Sequence, residues 1–363
     1  MLRQLKLFTR RLIAGANVAT IVVMLLLGYS GVVSPVSHPK ACVLSLLFPA
    51  LIWVNVAFLV FWAVFYRRYI LIPLAGFLLA WGPLRTYVPV NLPHKTPEGS
   101  IKVLSFNIWN FATHKAPKDK PNPIMEYILN SGADIVCLQE YSPHEAKKLK
   151  IDSLVRPVYP YIDTVRAKRS TNVNAIFSKY PIVGKEHAYT LQWSTVTGVF
   201  KVLIDGDTVA VVNCHLETNS LSYAEKKEFK HMIKGEMGKD TMRTTSLKLI
   251  DKLAIAAVKR APQAEAVAQY IKEHKGQSMI VCGDFNDNPL SYVYRTIADG
   301  LTDCYVSTAN GPGWSFHASN IYVRIDNILC TSDWEPYNCK VDRKITLSDH
   351  YPVYCWLKKR TKH

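Results

Sequence analysis

Acid is almost missing from the first 99 positions: Glu98 stands alone there against nine Lys and Arg. Charge of either sign is missing from Leu12 to Val33 and again from Ala41 to Tyr66. Eight cysteines in 363 residues are too few for a small disulfide scaffold. Seventeen glycines exclude a collagen-like repeat, and 11% aromatic content excludes a disordered chain. No C-x-x-C and no H-E-x-x-H occurs, so zinc chemistry is disfavoured. No internal repeat is evident.

The uncharged runs are each long enough to cross a bilayer, which takes about 20 apolar residues at the helical rise. A third apolar stretch, Tyr69 to Leu84, is shorter and holds Pro73 and Pro83. Residues 1–90 therefore read as a membrane anchor with two or three transmembrane helices, at about 12–33, 41–66 and 69–84. The first run is too long for a signal peptide and a second follows at once. Arg3, Lys6, Arg10 and Arg11 precede the first run, and Arg67–Arg68 follows the second. The positive-inside rule puts both groups in the cytoplasm. A crossing third segment then leaves the remainder on the non-cytoplasmic side; one that does not cross leaves it in the cytoplasm. Residues 91–99 are Pro-rich and polar and read as a linker.

From residue 100 the pattern changes to short β-rich runs between loops and helices. Strands are expected at Ile101–Phe106, Ile135–Leu138, Ala175–Ser178, Val199–Ile204, Val209–His215, Met279–Cys282, Ile325–Cys330 and Val353–Leu357. Helices are expected at Pro123–Ser131, Ser142–Leu149, Ser222–Glu236, Ser246–Glu273 (with a break near Pro262) and Pro289–Ala298. Several apolar segments end in a carboxylate, carboxamide or imidazole: Asn107, Glu140, His215, Asp284 with Asn286, and Asp326. A loop delivers Asp349–His350 before the final strand. Strand ends on one rim of a sheet bring such groups together from distant positions. Singly, each has an ordinary reading as a turn former, N-cap or surface acid.

Together the segments LSFNIW (104–109), DIVCLQE (134–140), NAIFSKYPI (174–182), VVNCHLE (211–217), VCGDFND (281–287), RIDNIL (324–329) and LSDHYPV (347–353) resemble the endonuclease/exonuclease/phosphatase superfamily. They occur in the family's order and cover about residues 100–358, with 359–363 left as a basic tail. The resemblance implies an α+β, four-layer sandwich: two packed, mostly antiparallel β-sheets flanked by helices. It implies a divalent-metal phosphoesterase, with Mg2+ as the cofactor and Mn2+ as the alternative ion. By position, Glu140 matches the principal metal carboxylate, with Asn107 beside it and Asp349 as a second acid facing the metal. Asp284 matches the residue that orients or deprotonates the water, and Asn286 its partner. His215 matches a phosphate contact, and Asp326 the carboxylate that orients His350. Asn174 and Asn327 depart from the family pattern, where Gly and an aromatic residue are common.

Such chemistry suits these groups. A hard cation on oxygen ligands neutralises the charge of phosphate ester hydrolysis. Histidines beside carboxylates are raised in pKa and fixed in tautomer. Ser348 lacks a nucleophile-elbow context, so attack by water is expected. The expected substrate is a phosphate ester, either nucleic acid or phospholipid headgroup, and the lipid bilayer is a partner through the N-terminal helices. No protein partner is indicated. A tethered phosphate- or nucleic-acid-binding module without turnover is the alternative. Ser222 to Arg260 carries ten basic residues against five acids, which reads either as an anion-attracting surface or as a solvated helical face. Arg156, Arg166, Lys168 and Arg169 form a second basic cluster.

Overall fold

A computed structural model of the protein describes residues 2–117, 119–166, 173–188, 196–219, 221–233, 236–318 and 321–360. The N-terminal region forms α1 (Leu2–Gly28), α2 (Pro39–Val43), α3 (Phe48–Phe65), α4 (Leu71–Leu79) and α5 (Trp81–Tyr87). The stretches Arg3–Val32 and Pro39–Phe65 are long and apolar enough to cross a membrane, while Arg67–Leu79 and Trp81–Tyr87 are bent by 66° where they join. The uncharged run from Ala41 is not one uniform helix. It passes through a 3-10 turn at Leu44–Leu47, and α3 begins at Phe48 with Pro49 in its first turn, where a missing N–H costs nothing.

The three apolar segments lie side by side. The Arg10 guanidinium sits 5.7 Å from the Tyr66 ring centre and 5.3 Å from that of Tyr69. Further along, Asn17 donates to Asn55 Oδ1 at 3.0 Å and accepts from Trp62 Nε1 at 3.0 Å, so polar groups buried among apolar helices satisfy one another. Gly76 meets Ile21, and Gly28 meets Phe48 and Pro83. The bent third segment thus follows α1 from its Arg10 level to its C-terminal end. There Met24, Leu27, Phe48 and Ala80 bury Leu290 of the following domain.

That domain holds twelve strands among its described residues: β1 (Ile101–Asn107), β2 (Ile135–Gln139), β3 (Tyr161–Arg166), β4 (Val173–Ser178), β5 (Ile182–His187), β6 (Val196–Ile204), β7 (Asp207–His215), β8 (Met279–Asp284), β9 (Thr302–Asp303), β10 (Asp326–Cys330), β11 (Trp334–Val341) and β12 (Val353–Lys359). They form two six-stranded sheets, ordered β11-β12-β1-β2-β4-β3 and β5-β6-β7-β8-β10-β9. Each sheet has one parallel pair, β1 with β2 and β7 with β8, and is otherwise antiparallel. The expected mostly antiparallel sandwich is what forms.

Four layers follow from burial on both faces of each sheet. Val103, Ile135 and Ile176 of the first sheet pack on Phe200, Val211 and Ile280 of the second. The outer face of the first sheet is covered by α6 (Pro123–Asn130), α7 (Pro143–Lys148) and α8 (Ile151–Val155), through Ile128, Ala146 and Val155. The outer face of the second is covered by α10 (Lys239–Glu273) and α11 (Tyr292–Ala298), through Ala264, Val267 and Val293. Two elements complete the helices, α9 (Tyr223–Ile233) and α12 (Cys304–Thr308). Helix α10 runs unbroken through Pro262. Its buried small residues Ala257, Ala261 and Ala264 seat it on the domain, and that packing outweighs the helix-breaking tendency of proline.

Carboxamides tie the two sheets together inside. Gln139 donates to Asn213 Oδ1 at 2.7 Å, and Asn213 donates to the Leu138 and Ala175 carbonyls at 3.1 Å each. Asn174 donates to the Val196 and Asn213 carbonyls at 3.0 and 2.8 Å. The departure at Asn174 therefore adds a cross-sheet bond. Asn327 donates to its own strand at the Ile325 carbonyl, 3.1 Å away. All eight cysteines are free and buried, so Cys304 and Cys339 do not pair; the nearer thiol to Cys304 is Cys330, at 3.8 Å.

Residues 91–99 lie along the domain rather than away from it. Asn91 bonds to Val306 and Asn310, and Asn338 donates to the His94 carbonyl and Thr96. Of the basic stretch, Lys252, Lys259 and Arg260 are paired with Glu225, Glu217 and Asp287. Arg156 is paired with Asp152, Lys168 and Arg169 lie outside the described residues, and so does the tail beyond residue 360.

Gly283 is the tightest backbone position beside the cleft. Its φ is +128°, and a Cβ there would sit 2.0 Å from the Cys214 carbonyl oxygen on the neighbouring strand. Gly283→Ala should therefore destabilise the fold by about 3 kcal/mol or more, seen as a lower thermal midpoint by circular dichroism of the purified chain. An unchanged midpoint would contradict this close approach.

Candidate active site

Strand register carries the polar residues to one edge. In the second sheet His215 stands opposite Asp284 and Asp284 opposite Asp326, so three strands end on one rung. In the first sheet Asn107 stands opposite Gln139, with Glu140 next in the chain. The sheets meet at this edge, and the loop before β12 adds Ser348, Asp349 and His350.

The two sheets touch through Asn107. Its Nδ2 donates to Glu140 Oε1 at 3.2 Å and to Asp284 Oδ2 at 3.1 Å, and its Oδ1 accepts from the Trp109 amide at 3.2 Å. His215 Nε2 lies 3.7 Å from Glu140 Oε1 and 4.0 Å from Asp284 Oδ2. His350 Nε2 lies 3.7 Å from Asp284 Oδ2, while its Nδ1 is 2.9 Å from Asp326 Oδ2. Asn286 holds Asp284 from the other side: its backbone N–H donates to Oδ1 at 2.8 Å and its Nδ2 to Oδ2 at 3.1 Å. Asp349 lines the same cleft. Seven of the eight expected residues are thus joined by these short distances, and the eighth borders the opening.

Backbone strain collects here. Glu140 and Asn286 both adopt left-handed φ, +52° and +54°. Trp109, Asn110, Phe111 and Ala112 do so in succession, at a cost of about 1–2 kcal/mol for each L-residue. The surroundings over-determine this turn. Ile108 donates to the Gln139 carbonyl at 3.1 Å, Asn110 to that of Glu140 at 3.0 Å, and Phe111 is buried. Strain of this kind persists where packing enforces it, and here it lies beside Asn107 and Glu140 at the edge of the cleft.

Burial and charge set the protonation states. Burial pushes the Asp284 carboxyl up to about 6, against the opposing pull of His350 and His215. Burial also pushes the His350 imidazole down, but Asp326 and Asp284 outweigh it and hold His350 at about 10. His215 stays below the usual imidazole value because burial outweighs Asp284. At neutral pH the site therefore holds one imidazolium, His350, one neutral imidazole, His215, and an ionised Asp284.

The donors around Glu140 fit a hard divalent ion. Glu140, Asp284 and Asp349 supply oxygen, the donor type Mg2+ and Mn2+ prefer, with Asn107 alongside through its Nδ2, and the Glu140 side chain keeps 27% of its surface exposed to the cleft. Asp284, Asp326 and His350 also lie close enough to share an ion. In that group, however, the Nδ1 of His350 is already spent on Asp326, so it is better described as a carboxylate–imidazolium pair facing Asp284.

Three further residues support the site in ways the sequence does not show. Ser348 Oγ donates to the Asn107 carbonyl at 2.7 Å and accepts from the His350 amide at 3.2 Å. Ser315 Oγ accepts the amides of Ile325 and Asp326 at 3.1 and 3.0 Å. Arg260 is 2% exposed and bonds to Asp287, Asn219 and the Glu217 carbonyl. Ser348 stands beside the Asp-His pair and could have been found from that; Ser315 and Arg260 carry no comparable local signal.

The sign of the His350 shift yields a pH prediction. An imidazole raised from 6.5 to about 10 adds stability that is fully present below pH 6.5 and is lost as pH rises through about 10. Asp326→Asn removes the carboxylate responsible. In chelator-treated protein, the melting-temperature gap between wild type and Asp326→Asn should be widest near pH 6 and should narrow toward pH 10. A gap that widened with pH would contradict the assignment of His350 as the imidazolium.

The family model described as the Endonuclease/Exonuclease/phosphatase family matches residues 104–350, and a domain of unknown function matches residues 10–87. No curated protein matches the sequence. An endonuclease/exonuclease/phosphatase from Bacteroides vulgatus is similar with a TM-score of 0.51 at 18% identity, over 72% of this chain and 100% of that one. The human Nocturnin catalytic domain with bound sulfate gives 0.50 at 17%, over 74% and 96%. A humanized D. rerio TDP2 gives 0.50 at 16%, over 72% and 99%. At these identities the likeness is one of fold.

Proposed function

The chain belongs to the endonuclease/exonuclease/phosphatase family, and from that premise we propose that it is a membrane-anchored, divalent-metal-dependent phosphoesterase, in the first instance a phosphodiesterase. The observation that carries this reading is the contact of Asn107 with both Glu140 and Asp284, in a cleft where His215 and the Asp326–His350 pair also converge. A carboxylate pushed up toward neutrality 3.7 Å from an imidazolium suits acid–base chemistry.

In this mechanism the oxygen of a water forms a bond to phosphorus. One ester P–O bond breaks in line, its electron pair passing to the leaving oxygen, which takes up a proton from solvent. Asp284, ionised at neutral pH and held by Asn286, orients the water and accepts its proton. His350 keeps its own proton through Asp326 and donates a hydrogen bond to the phosphoryl oxygens. His215 contacts the phosphate beside the leaving oxygen. Mg2+ or Mn2+ on Glu140, Asn107 and Asp349 would supply neutralisation of the phosphate charge.

The domain plan proposed with it is an anchor over residues 1–90, a connecting segment over 91–99 and a catalytic domain over 100–358, placed on the non-cytoplasmic side. Supporting that side, Arg10 and Arg67–Arg68 belong to the end of the helical bundle remote from Leu290, and basic residues favour the cytoplasm. Alkaline phosphatase fused after Lys95 should be active and a fluorescent protein fused there dark; the opposite pair of results would place the domain in the cytoplasm.

The activity is tested on the full chain with bis-p-nitrophenyl phosphate. Hydrolysis should require Mg2+ or Mn2+ and stop with a chelator. Glu140→Ala, Asp284→Ala and His350→Ala should each lower kcat by about 10²-fold or more. Near-normal turnover by all three variants would refute the mechanism, and no turnover with any divalent ion would favour the binding module.

A further inference from the structure

The cavity above the site, about 240 Å³, has two chemically different halves. Its floor is polar: Glu140, Asp284 and His350. Its walls are largely apolar and come from three parts of the chain, one of them the segment with Phe316, Ile321, Val323 and Ile325. Cys42, Val43 and Leu46 come from the stretch that leads into α3, and Phe229, Leu249 and Leu253 come from α9 and α10, with α2 packed against α10.

The anchor wall is held firmly in place. Asn288, two residues beyond Asn286, donates to Ser45 Oγ at 3.0 Å, with both side chains buried. Lys40 pairs with Asp251 on α10 at 2.8 Å. Gly31 approaches so closely that a Cβ would fall 2.6 Å from the Leu290 carbonyl oxygen. The membrane segment is therefore a wall of the cleft as well as its tether. Charge in the cleft points the same way. Among the described lining residues Arg260 is the one Lys or Arg, and its guanidinium is bonded to Asp287, Asn219 and the Glu217 carbonyl; the other cation, His350, belongs to the polar floor. A nucleic-acid strand needs a cationic track for its backbone, and this cleft offers apolar surface instead.

We propose that the substrate is a bilayer lipid: a phosphate ester carrying a hydrocarbon chain, with its phosphate on the polar floor and its chain against the anchor wall and α9–α10. This rests on the phosphoesterase reading above and names its substrate class. The bond cleaved is the same P–O ester bond. The walls contribute affinity by burying the chain, about fourfold per fully buried methylene at about 0.8 kcal/mol each. The chain need not leave the apolar phase, since Val43 and Leu46 continue into a helix apolar enough to lie in the bilayer.

The test uses the full chain in lipid nanodiscs with Mg2+ and a series of methyl, butyl and hexyl p-nitrophenyl phosphates, which share one reacting centre. We expect kcat/KM to rise at least tenfold from methyl to hexyl. We expect Val43→Asn, on the anchor wall, and Leu253→Asn, on the α10 wall, each to cut that hexyl-to-methyl ratio at least threefold. A flat ratio in the wild type overturns the proposal, as does a ratio unchanged in both variants, because simple partition into the bilayer would then explain it. Faster cleavage of a single-stranded DNA oligonucleotide than of the hexyl ester also overturns it. Absence of hydrolysis of every ester fails the phosphoesterase reading instead, so the two failures are distinguishable.

Discussion

The site depends on the two sheets keeping one register, and buried carboxamides hold that register. Asn107 and Glu140 belong to the first sheet, whereas His215, Asp284 and Asp326 belong to the second. A shift of one sheet along the other would draw these groups apart. Apolar packing between the sheets is strong but not directional. The bonds from Gln139 to Asn213, from Asn213 to Leu138 and Ala175, and from Asn174 to Val196 are directional, and breaking one leaves a buried polar group unpaired. Close behind this network, Asn107 makes the final bridge by donating to a carboxylate of each sheet.

That bridge creates an electrostatic problem whose solution has chemical use. Asp284 and Asp326 are buried within a few ångströms of each other, and burial opposes both charges. His350, between them, takes up a proton and stabilises both. The arrangement leaves a carboxylate near neutrality beside an imidazolium, while His215, with less compensation, remains neutral. Three groups that titrate ordinarily in water are thus separated in role by their surroundings.

The N-terminal helices enter the same structure. Leu290 inserts among Met24, Leu27 and Phe48, and Ser45 accepts a hydrogen bond from Asn288. The loop that begins at Asp284 therefore faces the cleft at one end and the apolar helices at the other. A connection of this kind limits how far the domain can tilt relative to the helices. It also joins the apolar helices to the cleft directly above the polar floor.

Much of this was legible in the amino-acid order. The uncharged runs, the position of the basic residues, the strand cores and the polar residues at their ends follow from local chemistry and short spacing. The four-layer class and the roles expected of the eight candidate site residues came through resemblance of seven ordered motifs. Other features were not legible. Strands such as β5 and β11, with their mixed burial, carry weak alternation. Helix α10 continues through Pro262 because a sheet lies beneath it, which no local propensity records. Ser315, Arg260 and Asn174 look like ordinary polar residues until their partners from distant strands are brought beside them. Sequence by itself determined which groups exist and near which strand end each must fall, because period and turn chemistry are local. Only the tertiary structure decided which carboxylate is pushed up toward neutrality, which histidine is charged and that the stretch before α3 lines the cleft, because burial and distance arise only when remote segments meet.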